Sequence, residues 1–157
     1  MDRARAVVAL DCSAAEAEHL LPRYFAAHRD ASGKIVLRLR LPLGDFGIPG
    51  RLDVSRAVVA RIYKRRDEQN LNDEFGISWK PEDGGPFPEF SGRLTIWSEE
   101  NPKGSFLEID GTYEPPLGTV IGAAFDATVG RSIAVRTAQA LLEDIRAGID
   151  MLRHEAF

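Results

Sequence analysis

Three histidines, one cysteine and 24 carboxylates are the residues of this chain able to do acid–base, nucleophilic or metal chemistry. His19, His28 and His154 have no histidine partner at helical spacing and stand in no carboxylate-rich pattern, so each reads as a helix-surface residue. A lone Cys12 excludes an intramolecular disulfide and a cysteine-based zinc site. No Gly-x-Ser-x-Gly elbow and no Gly-x-x-x-x-Gly-Lys phosphate loop occurs. Arg61, Lys64, Arg65, Arg66 and Asp67 form a charge run at a strand end that reads as a solvated turn or as an anion-binding patch. The sequence therefore predicts no catalytic residue, no metal ligand and no cofactor. What it offers instead is recognition. Trp79 and Tyr113 each join an apolar body to a polar tip, which suits either a satisfied place in the core or the orienting of a ligand in a mostly apolar pocket.

Composition bounds the frame that holds them. The chain of 157 residues is long enough for one domain, residues 1–157, with a single core. A 44% hydrophobic and 28% charged content is that of a globular protein rather than a disordered one. A net charge of −4 disfavours sequence-independent nucleic-acid binding, which depends on neutralising phosphates. No apolar run is long enough to span a bilayer, and the N-terminal apolar stretch is too short for a signal peptide, so a reduced, cytoplasmic location is expected.

The hydrophobic period changes three times along the chain. Residues 5–12 read as a first strand. Ser13, with Glu16 three residues on, has the spacing of a capping box opening a helix that runs to about His28, and Pro22 predicts a kink there or two short helices. Ser32-Gly33 is a turn. Ile35, Leu37, Leu39 and Leu41 then alternate with Lys34, Val36, Arg38 and Arg40, as in a half-buried strand. A glycine- and proline-rich connection, Pro42 to Asp53, carries Phe46 and Ile48 and reads as a gate or a static cover. Strand-like runs follow at about 54–64, 74–80, 89–98 and 104–114. The polar segments between them are too short for crossover helices, so the strands pair as antiparallel hairpins.

A register follows from sorting apolar and charged residues onto two faces. Ser98 opposite Ser105 sets Ile96 against Leu107, Leu94 against Ile109 and Phe90 against Tyr113 on one face. It sets Trp97 against Phe106 and Arg93 against Asp110 on the other, with Glu108, Asp110 and Glu114 outward. Carried back one hairpin, it sets Trp79 against Phe90, Ile77 against Gly92 and Phe75 near Leu94. Gly92 and Gly111 then face one another on the apolar side, leaving a void or room for a close helix. From about Pro116 a long apolar stripe, including Ile121, Phe125, Val129, Ile133, Leu141, Ile145 and Ile149, predicts a C-terminal helix of roughly 30 to 40 residues.

This order, with the passage Leu107-Glu108-Ile109-Asp110-Gly111-Thr112-Tyr113-Glu114-Pro115-Pro116-Leu117-Gly118 leading into the last helix, resembles the START-like (SRPBCC) superfamily. The resemblance implies an α+β helix-grip fold: a curved antiparallel sheet of about six to seven strands wrapped around a long C-terminal helix, with a short or kinked N-terminal helical segment. It also implies a cavity between sheet and helix that takes a small apolar or amphipathic ligand. Leu39, Phe75, Ile77, Trp79, Phe90, Leu94, Ile109, Tyr113, Ile121 and Phe125 are the candidate lining, and simple core filling is the alternative for each. Two rival functions stand beside ligand carriage. One is an enzyme similar to the polyketide cyclases, which needs an inward titratable group. The other is a protein-interaction module using Trp97 and Phe106 on the outer face. The oligomeric state is left open.

Overall fold

Alternation of apolar and polar residues builds six strands, and two helical stretches flank them. The computed structural model describes residues 2–42, 53–66, 73–80, 89–98, 104–114 and 127–155. The elements are β1 (Asp2–Leu10), α1 (Ala14–Ala27), β2 (Ile35–Pro42), β3 (Asp53–Arg66), β4 (Asp73–Trp79), β5 (Glu89–Trp97), β6 (Ser105–Glu114) and α2 (Ala127–Glu155). The strands form one antiparallel sheet in the order β1-β6-β5-β4-β3-β2, curled into a half-barrel.

The observed pairing has the register expected from the two-face sorting. Leu94 lies opposite Ile109, Phe90 opposite Tyr113, Gly92 opposite Gly111 and Trp97 opposite Phe106. In the preceding hairpin Trp79 lies opposite Phe90, Ile77 opposite Gly92 and Phe75 opposite Leu94. Arg93 does face Asp110, but the ion pairs form elsewhere. Asp110 Oδ1 accepts from Arg3 Nε at 2.8 Å, and Arg93 lies 3.9 Å from Glu74. On the outer face Asp110 is thus held diagonally, by Arg3 of β1, which lies opposite Thr112. Arg3 and its neighbour Arg5, bound to Glu108 at 2.6 Å, zip the outer face of β1 to β6.

Other expectations are corrected. The first strand begins earlier and ends at Leu10, because its whole length pairs with β6 from Tyr113 to Ser105. The two-helix alternative at Pro22 is corrected: α1 is a single helix of 14 residues with Pro22 inside it. Leu20, Leu21, Tyr24 and Phe25 are buried along one face of α1, and that packing outweighs the donor lost at Pro22. Ser13 caps the helix as expected, its Oγ accepting from the Glu16 amide at 3.2 Å. The Glu16 carboxylate takes Arg153 at 3.1 Å, and Arg153 also donates to the Asp11 carbonyl, so the capping segment ties α1 to the end of α2. The Pro42–Asp53 connection beyond Pro42, the residues from Pro115 to Asp126, and Ile121 and Phe125 with them, lie outside the described residues.

The described part of α2 buries Ile133, Ala134, Thr137, Ala138, Leu141, Leu142, Ile145 and Ile149. It approaches the two edge strands, β1 and β2, most closely, then α1 and β6. A curled sheet whose two edges both reach one helix is a grip, and Arg40 on β2 fastens one edge through a bidentate contact with Asp144, 2.5 and 3.2 Å.

Candidate functional site

The inward face of the sheet is organised in rows that cross the strands. One row runs Phe75, Leu94, Ile109 and Ala6 across β4, β5, β6 and β1. Another runs Trp79, Phe90 and Tyr113, with the Trp79 and Phe90 rings stacked at 4.6 Å between centroids. The row between them is nearly bare: Ile77, Gly92, Gly111 and Ala4. Leu39 stands apart on the edge strand β2, next to the helix. The structure thus brings seven of the candidate residues, Phe75, Ile77, Trp79, Phe90, Leu94, Ile109 and Tyr113, onto adjoining strands of one face. All eight described candidates are at most 4% exposed.

The bare row is not a void. A Cβ on Gly92 would lie 2.7 Å from the Gly111 Cα and collide with the Asp110 carbonyl. A Cβ on Gly111 would lie 2.6 Å from the Gly92 Cα and 2.7 Å from the tip of the Phe90 ring. The two backbones approach too closely for side chains, as a sharply curled sheet requires of its concave side. Phe90 then leans over the gap. The glycines set the curvature of the face rather than its emptiness.

One buried polar atom on α2 has no partner among the described residues. Thr137 is fully buried on the apolar stripe of α2, one turn from Ile133 and one from Leu141, and its Oγ1 has no hydrogen-bond partner among the described residues. A buried hydroxyl left unpaired costs about 1–3 kcal/mol, so its retention marks a place where a polar partner is expected. Sequence reasoning passed over Thr137. The signal was present, because it is the one hydroxyl at 133, 137 and 141 along the stripe. Ser105, the other buried polar side chain among the described residues, is satisfied by donating to the Cys12 carbonyl at 2.9 Å.

No acid–base or nucleophilic arrangement forms around these rows among the described residues. His19 and His154 are exposed, and His28 closes α1 with its Nδ1 2.8 Å from the Tyr24 carbonyl. Burial and the nearby Glu16 push the Cys12 thiol above its ordinary value, away from the thiolate form a nucleophile needs. Among the described residues no group of three metal-ligating side chains converges, and no helix is long and apolar enough to cross a membrane. The outer aromatic pair is also less available than its sequence implied. Trp97 and Phe106 stack at 4.4 Å and are half-buried, with the Trp97 Nε1 enclosed.

A cleft of about 740 Å³ opens where β2 begins. The first residue of β2, Ile35, pairs with Ala60, while β3 runs on to Arg66 with, among the described residues, β4 alone beside it. The cleft wraps this free stretch of β3. Ile35, Ala60 and Ile62 line it from the inward face, Val59, Arg61 and Tyr63 from the outward face, and Arg29, Gly33, Lys34 and Lys80 from the flanking turns. Its inward residues adjoin the candidate rows directly: Ala60 is paired with Trp79 and Ile62 with Ile77. The volume falls in the range that holds small organic ligands.

No protein-family profile matches the chain, and no curated protein matches its sequence. Solved structures do match. The chain is similar to a START superfamily protein from Mycobacterium smegmatis, with TM-score 0.52 at 15% identity, over 96% of this chain and 98% of that one. It is equally similar to a protein from Thermus thermophilus, with TM-score 0.52 at 15% identity, over 96% and 99% of the two chains. An uncharacterised protein from Bacillus thuringiensis matches with TM-score 0.52 at 14% identity, over 94% and 96%. At these identities the likeness is one of fold. A six-stranded antiparallel sheet curled toward one long C-terminal helix, with a short helix before it, is the START-like helix-grip fold, and this chain has it.

Proposed function

We propose that the protein binds a small apolar or amphipathic ligand between the concave face of the sheet and α2. The observation that carries this reading is Thr137. A hydroxyl fully buried on the apolar stripe of α2, with no partner among the described residues, is what an apolar pocket with one orienting group requires. The fold is consistent with a ligand held in this place. Phe75, Ile77, Trp79, Phe90, Leu94, Ile109 and Tyr113 form the apolar wall and Leu39 the rim beside the helix, with Ile121 and Phe125 proposed to complete it. Binding draws on apolar area removed from water, about 25 cal/mol per Å². A cytoplasmic setting fits the lone buried thiol.

No observation favours the cyclase reading. The buried polar side chains among the described residues are hydroxyls, not carboxylates or imidazoles. The experiment is a thermal-shift panel of fatty acids, sterols and aromatic polyketides with the full chain. A ligand present at 100 times its Kd stabilises by about 2.7 kcal/mol and raises Tm by several degrees. A panel of this breadth with no shift overturns the proposal.

A further inference from the structure

The cleft at the start of β2 carries a charge pattern that the apolar reading leaves unused. Among its ten described lining residues four are cations, Arg29, Lys34, Arg61 and Lys80, and none is an acid, in a chain whose net charge is −4. All four are exposed. Among the described residues none of the four stands in a salt bridge. Arg29 spends one N–H on the Gly33 carbonyl, at 2.8 Å, which fixes the side chain along the turn and leaves its other donors free to point outward. The nearest acid on the same turn, Asp30, is occupied: its Oδ1 accepts from the Ser32 amide, the Ser32 hydroxyl and the Lys34 amide at 2.9, 2.6 and 3.0 Å. It stands outside the cleft lining.

The same cleft has an apolar side. Ile35, Ala60 and Ile62 face inward, and their strand partners Trp79 and Ile77 belong to the proposed ligand wall. Cations on the rim and aliphatic groups leading inward describe a receptor for a molecule charged at one end and apolar at the other.

We infer that the cleft between the α1–β2 turn and β3 is the headgroup site for an anionic amphiphile, a carboxylate- or phosphate-headed chain whose tail runs inward past Ile62 toward Ile77 and Trp79. The inference rests on the ligand-binding reading above and adds to it the ligand's charge and the direction from which it is held. Arg61 and Lys80 flank the head from β3 and the end of β4. Arg29 and Lys34 flank it from the turn. The free edge of β3 also has the form that accepts an extended peptide, but the inward aliphatic side of the cleft favours a tail over a backbone.

Calorimetric titration of the full chain with dodecanoate, dodecyl phosphate and dodecanol tests this, since the three share one tail. The expected result is that one or both acids bind about tenfold more tightly than the alcohol. In Arg61→Gln/Lys80→Gln that advantage is lost while dodecanol affinity is unchanged. In Arg23→Gln/Arg146→Gln, which removes the same charge from the exposed faces of the helices, it is kept. Whichever acid gains more identifies the head as carboxylate or phosphate. If dodecanol binds as well as both acids, or the advantage survives in the cleft variant, the inference is overturned and the ligand-binding reading stands. If none of the three binds, the inference is overturned, and the ligand-binding reading then stands or falls on the sterols and aromatic polyketides of the thermal-shift panel. Inorganic phosphate binding as tightly as dodecyl phosphate overturns the inference, since the tail then contributes nothing. So does an acidic decapeptide that binds through Arg61 and Lys80 where the alkyl acids do not.

Discussion

Gly92 and Gly111 face each other across β5 and β6 so closely that a methyl group on either would sit 2.6 to 2.7 Å from the other's Cα. The pair lies midway between the row containing Tyr113 and the row containing Ile109. The Gly92→Ala variant must push β5 and β6 apart or flatten the sheet. It is expected to lose about 1–3 kcal/mol in urea denaturation, the cost of overpacking a rigid site. Gly76→Ala is the control. The atoms a methyl would meet there belong to the ring of Tyr63, which is 54% exposed and can swing aside, so the loss stays below about 1 kcal/mol.

Tyr24 gives a pH-dependent prediction. Burial, and then the nearby Asp144, push its phenol from an ordinary value near 10 up to about 12. The unfolded chain releases this proton near pH 10, whereas the folded chain holds it to about 12. Stability is therefore complete below pH 10 and falls between pH 10 and 12, by at most about 1.4 kcal/mol per pH unit. Other groups titrate there too, so the difference between the parent and Tyr24→Phe in urea melts from pH 9 to 12 is the measurement. The parent loses stability more steeply. Equal slopes contradict the assignment.

The same ring also locks the two helices. A Cβ on Gly148 would collide with the Tyr24 ring, so Gly148→Ala is expected to destabilise the α1–α2 contact despite alanine's better helix propensity. A net stabilisation in thermal melts, of the size propensity alone supplies, about 1 kcal/mol, contradicts the packing described here.

Thr137 separates stability from function. Thr137→Val keeps the shape and removes an unpaired buried hydroxyl, so the ligand-free protein should gain stability, by about 1 kcal/mol or more. Ligand affinity should fall at the same time. A variant that is both less stable and unchanged in binding contradicts the role given to Thr137.

Much of this architecture was legible in the sequence. Strict alternation from Phe75 to Trp79 and from Leu107 to Tyr113, with Arg93 and Asp110 on the opposite face, keeps charges out of the core in the register found, since a one-residue slip would invert every side chain. Pro22 does not split the helix, because its local cost is smaller than the burial of Leu21 and Phe25 on either side of it. The facing glycines were placed correctly, but their consequence was not. A pattern of residue types shows where side chains are absent, while the distance between two backbones depends on how far the sheet curls. The cationic cleft was half visible: the charge run at Arg61 read as a solvated turn or an anion patch, and Arg29, Lys34 and Lys80 join Arg61 because β2 starts late and, among the described residues, leaves β3 uncovered. Thr137 was legible only by asking which stripe residue carries a hydroxyl.

The central claim is a ligand on the concave face, and Trp79 reports on that face from within it. With Trp97→Phe, which keeps the stack on Phe106 and removes the enclosed indole N–H, Trp79 becomes the only tryptophan. Titrating this variant with dodecanoate and dodecanol while recording Trp79 emission is the most direct measurement. A saturable change in intensity or wavelength, lost in competition with an unlabelled long-chain ligand and weakened by Thr137→Val, is the predicted result. An emission spectrum indifferent to every amphiphile, under conditions where the protein stays folded, contradicts the account.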